Sequence, residues 1–141
     1  MIDQRFAPYA ATVLRLSLGI MFVAHAVLKI VVFTPAGTAQ FFGSVGLPGG
    51  LAYLTIAVEL IGGMMLVLGV YSRYVALALI PVLLGAIVFV HGAAGWLFSA
   101  PNGGWEYPAF LIAASVVQAL LGDGAYALRS SKVAPAAALA S

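Results

Sequence analysis

Arg15, His25, Lys29, Glu59 and His91 each interrupt a run of apolar residues, and Glu106 and Tyr107 stand at the head of another. An ionisable group at the centre of a bilayer costs about 2.5–3.5 kcal/mol on insertion scales, so each such residue needs a partner or a task. His25 and Lys29 are four residues apart and share one helical face. At about 1.5 Å of rise per residue, His25 and Glu59 reach similar depths, with Lys29 a turn further out, His91 in the same outer half and Glu106 at the rim. Glu59 can accept hydrogen bonds from His25 or Lys29, or reach Arg15 from the other half of the membrane. Paired, it stays ionised; buried alone, it favours the neutral acid. A histidine and a carboxylate so placed can act as general acid and base. Glu59 and His25 are therefore the candidate catalytic residues, and Arg15, Lys29, His91, Glu106 and Tyr107 the candidate binding residues.

Structural roles compete at these positions. Arg15 and Lys29 can snorkel to opposite headgroup layers. Glu59 can be an ion pair that only holds helices in register. His91, before Gly92, can close a helix end, and Glu106 can cap a loop. No metal is expected, because spacing of the His-Glu-x-x-His kind does not occur. The absence of cysteine removes thiolate ligands, disulfides, cysteine nucleophiles and dithiol relays together.

The elements that must position these residues follow from composition. Of 141 residues, 64% are hydrophobic and 7% charged, and the mean hydropathy is +1.13. The lipid bilayer is the partner this composition demands. Since a helix needs about 20 apolar residues to cross the hydrocarbon, the length allows four spans and no soluble catalytic domain. We expect an all-α fold: a four-transmembrane-helix bundle over residues 1–131, with spans at about 9–33, 51–70, 74–98 and 107–128, and a disordered tail at 132–141. The first run is too long, and too interrupted by Arg15, His25 and Lys29, for a signal peptide. Thr34-Pro35 reads as the start of a short interfacial helix in the first outer loop, Ser72 as the cap of the third span, and Pro81 as a kink within it. Gly62, Gly63, Gly69 and Gly85 are expected to allow close helix packing. Arg5, Arg73, Arg129 and Lys132 fall on one side, which the positive-inside rule assigns to the cytoplasm together with both termini. So few cations make no nucleic-acid footprint.

In order along the chain, LRLSLGIMFVAHAVLKI (Leu14 to Ile30), the F-F-x3-G-L-P segment at Phe41 to Pro48, AVELIGGMMLVLGVYSR (Ala57 to Arg73), His91, Glu106-Tyr107-Pro108 and Gly122-Asp123-Gly124 resemble the DoxX family of small four-helix membrane proteins. The resemblance covers nearly the whole chain and rests on the order and spacing of the pieces. It implies membrane-associated redox work in a bacterial-type cytoplasmic membrane. Family members are linked to quinone-coupled sulfur oxidation, as the small membrane part of a thiosulfate:quinone oxidoreductase, and to complexes that handle oxidative or thiol stress. Related methylamine-utilisation proteins are associated with disulfide chemistry, which a chain without cysteine cannot perform itself.

On that resemblance, the leading expectation is a quinone-binding subunit of a membrane oxidoreductase, in which His25 and Glu59 serve the quinone oxygens while Lys29 and Arg15 set the field. The sequence carries no flavin, haem or iron–sulfur signature, so electrons would come from a peripheral or soluble redox partner. The alternatives are a noncatalytic anchor or assembly partner, and a small carrier or proton-conducting module, for which a homo-oligomer would add surface.

Overall fold

The computed structural model describes residues 3–131. These residues are all-helical, with five α-helices among them and an isolated bridge between Val70 and Arg129. Helix α1, Ala7–Val27, starts with Pro8 in its first turn and is prolonged by a π-helical turn, Leu28–Val32. Helix α2, Pro35–Ser44, lies in the first loop; Pro35 opens it and the Thr34 hydroxyl accepts from the Gly37 N–H at 3.1 Å. Helix α3 is Gly50–Leu68. Helix α4, Ser72–Ala86, runs through Pro81 and changes to a second π-helical turn at Ile87–His91. Helix α5 is Glu106–Leu121.

Residues 7–32, 50–68 and 72–94 form helices long and apolar enough to cross a membrane. With α5 they make a helical membrane bundle, although the 16 residues of α5 reach only about 24 Å at the usual rise. Within the bundle α1 packs on α3 and α4 on α5, while α2 rests on α3. The α1–α3 contact is built from glycine. A Cβ on Gly19 would lie 2.8 Å from the Gly63 carbonyl oxygen, and one on Gly63 would lie 2.9 Å from that of Gly19. Such reciprocal backbone approach is how small residues join helices in lipid, where no hydrophobic force favours helix over acyl chain. Gly62 seats Leu79 of α4 in the same manner. Leu18, Phe22, Leu66, Val75, Ala76, Leu79, Leu83 and Leu111 form the core, and Val13, Ile20, Ile61, Leu77, Phe110 and Leu120 face outward.

The two ends differ. The loop end carries α2 and residues 95–105. At the terminal end, residues 122–131 form a strap across the bundle: Ala125 N–H donates to Pro8, Leu128 N–H to Leu68, Arg129 N–H to Gly69, and Tyr71 N–H to the Arg129 carbonyl.

Three expectations change. The fourth helix stops at Leu121 instead of running to about 128, because Gly122 (φ +93°) and Gly124 (φ +73°) take conformations closed to a helix, although the sequence stays apolar beyond them. Ser72 does not cap α4 with its hydroxyl; its N–H donates to Asp123 Oδ1 at 2.7 Å, so a carboxylate 51 residues away caps this helix. Gly85 is not a packing position, since a Cβ there would meet nothing within 4 Å. The expected tail at 132–141 lies outside the described residues.

Candidate functional site

A cavity of about 900 Å³ occupies the loop end, and every helix contributes to its wall. The wall is mostly apolar, with Phe22, Phe33, Phe41, Phe42, Leu54, Val58, Val82 and Phe89 prominent, and it carries His25, Lys29, Glu59, His91 and Tyr107. These are five of the seven residues singled out from sequence. Gly85 also lines it, which accounts for the open space there.

Lys29 belongs to the π-helical turn that ends α1. Its ammonium donates to both carboxylate oxygens of Glu59, at 3.0 and 2.7 Å. The two side chains are 18% and 6% exposed, so the carboxylate is enclosed and the ammonium borders the cavity. Of the partners open to Glu59 from sequence, the structure selects Lys29 and brings neither His25 nor Arg15 to it. A π-turn inserts a residue into the helical ladder and turns the side chains beyond it, and such turns recur at functional sites. Here both π-turns carry an ionisable residue of the wall, Lys29 in one and His91 in the other.

The two histidines are held alike. His25 Nδ1 lies 2.9 Å from the Met21 carbonyl oxygen. His91 Nδ1 lies 3.2 and 3.0 Å from those of Asn102 and Gly103. A carbonyl only accepts, so Nδ1 carries the proton in both rings, and Nε2 of the neutral ring is left as an acceptor. Tyr107 stacks against His25, with ring centroids 6.3 Å apart.

Arg15 and Glu106 do not line this cavity. Glu106 begins α5 and accepts from the Phe98 N–H at 2.9 Å, beside a shallower pocket walled by Trp96, Phe98 and Phe110. Arg15 is 2% exposed and belongs to the terminal end. Its Nη2 donates to the Ala125 carbonyl oxygen at 3.5 Å, and Asp123 supplies opposing charge. Helical rise explains the separation: ten residues place Arg15 about 15 Å from His25 along α1. Sequence reasoning gave Asp123 no role, yet its carboxylate accepts from Ser72 N–H, Ser131 N–H and Ser131 Oγ. Its position between two glycines beyond an apolar run was the available signal.

The chain belongs to the DoxX family, whose sequence model matches residues 10–92. A Bacillus subtilis (strain 168) protein named "Putative oxidoreductase CatD" is 37% identical over 115 residues, covering 82% of this chain and 81% of its own. A Haemophilus influenzae (strain ATCC 51907 / DSM 11121 / KW20 / Rd) protein named "Uncharacterized protein" is 29% identical over 103 residues, covering 72% of this chain and 75% of its own. No solved structure matches the chain.

Proposed function

We propose that this multi-pass membrane protein is a subunit of an oxidoreductase system that binds a quinone inside its bundle, in a bacterial-type inner membrane with both termini cytoplasmic. The observation that carries this reading is the loop-end cavity. Its volume of about 900 Å³ is at the upper end of ligand pockets, and it pairs an apolar wall with a few convergent polar groups. That combination suits a planar apolar ring with oxygens at its edge. The name of the Bacillus subtilis relative supports the redox class, and the Arg5, Arg73 and Arg129 end supports the orientation.

A bound quinone would supply reversible electron and proton carriage that the side chains lack. The chain's own residues do the rest. Lys29 can donate to an oxygen at the wall without leaving Glu59, and Glu59 holds its ammonium in place. Neutral His25 and His91 accept a hydroxyl proton at Nε2; once protonated they donate from the same atom. Tyr107 confines the His25 ring. Electrons come from a peripheral or soluble partner.

One observation favours a noncatalytic anchor instead: both Glu59 oxygens are occupied by Lys29, as in a pair that only sets helix register. Quinone bound per chain separates the two. Gently solubilised wild type, Glu59→Gln and Gly85→Leu are extracted beside an unrelated four-span protein. Stoichiometric quinone in wild type, lost in both folded variants, is the expected result; wild type at the control level would move the function to the anchor.

A further inference from the structure

We infer that the cavity is a one-sided vestibule, open to water and protons at the loop end of the bundle and sealed at the terminal end. This goes beyond the quinone reading and holds whatever the cavity binds. Its floor is the apolar core itself. Phe22, Leu83 and Leu111 belong both to the cavity wall and to the core, and are 1%, 6% and 8% exposed. Leu18, Leu66 and Leu79 lie on the terminal side of them, 2%, 0% and 1% exposed.

Every titratable side chain of the wall lies on the loop side of that layer: His25 and Lys29 from α1, Glu59 from α3, His91 at the end of α4 and Tyr107 from α5. Helix α2 contributes none. His91 joins the wall to the loop surface through the carbonyls of Asn102 and Gly103. Among the described residues, buried polar side chains resume on the terminal side of the layer, with Arg15, Ser72, Ser115 and Gln118. Each of these four keeps at least one polar atom without a protein partner among the described residues, and none of the four lines the cavity. A proton or water crossing the layer would give up its hydrogen bonds where none replace them, at a cost of several kcal/mol per group. A ligand that gains or loses a proton in the cavity therefore exchanges it with the loop-face compartment, and the chain alone carries no proton across the membrane.

The chain has no cysteine of its own, so single-cysteine variants report directly. Thr55→Cys and Gly85→Cys put a thiol at the cavity wall, and Ser99→Cys and Ser130→Cys mark the exposed loop and terminal faces. A charged, membrane-impermeant methanethiosulfonate is applied to one face at a time of sealed vesicles holding the full chain. The cavity thiols should react from the face that labels Ser99→Cys, with labelling lost from the face that labels Ser130→Cys. Reaction from the Ser130 face, from both faces or from neither overturns the inference. The readout needs no quinone, so loop-face labelling of a protein that binds none would support the vestibule and count only against the proposed ligand.

Discussion

Each end of the bundle buries charge, and the two ends handle it in opposite ways. At the terminal end, Asp123 is 9% exposed and Arg15 2%, and backbone closes around them: the carboxylate accepts from two N–H groups and a hydroxyl, while the guanidinium lies against Gly69 and Ala125. At the loop end, Lys29 and Glu59 satisfy one another and border open space. A buried ion enclosed by main chain fastens a fold, whereas one left at a cavity wall remains within reach of a ligand. The terminal cluster is thus the structural one, although Arg15 and Glu59 look equally anomalous in the sequence.

The largest expected effect breaks the terminal end. Asp123→Ala strands the Ser72 and Ser131 donors and removes the charge opposing Arg15; loss of one partner in such a cluster costs about 3–5 kcal/mol. A thermal melt in detergent checks this, and quinone per folded chain should not change. Next comes Lys29→Met, which leaves Glu59 enclosed without a cation and should cost about 3 kcal/mol. The double variant Lys29→Met/Glu59→Gln should recover most of that loss while still binding no quinone. A double variant as unstable as the single one would mean that the lysine stem, not its charge, matters. If the double variant still binds quinone, the pair belongs with the fasteners.

The polar wall of the cavity was largely legible from sequence because an ionisable residue in an apolar run advertises itself, and because rise per residue converts position into depth. The pairing of Lys29 with Glu59 was legible only as one of several options, since the choice depends on the π-turn that carries Lys29, and apolar β-branched neighbours such as Ile30 and Val31 give no sign of one. Glu106 stands at the rim of the fourth span as its position in the sequence indicates, but adjacency to Tyr107 does not show that Tyr107 lines the cavity while Glu106 accepts from the loop. Arg15 needed Asp123, and Asp123 lies past the end of a helix, where no periodicity links it to α1 or α4. The fold was clearer than its ends, because hydropathy locates a span but is blind to the left-handed glycines that terminate it.

The smallest effect on stability is also the sharpest test, and it rests on two glycines that look alike in sequence. Gly19 sits where the backbones of α1 and α3 touch, so Gly19→Leu must push them apart at a cost of about 1–3 kcal/mol. Gly85 faces the cavity with nothing within 4 Å of an added Cβ. Gly85→Leu should therefore leave the melting transition within about 0.5 kcal/mol of wild type. Its new side chain projects into the space proposed for the ligand, so quinone per chain should fall towards the control level. A stable Gly85→Leu protein that keeps its quinone would place the ligand elsewhere. A destabilised one would show that this part of α4 is packed like the terminal half, and the contrast between a closed end and an open one would fail there.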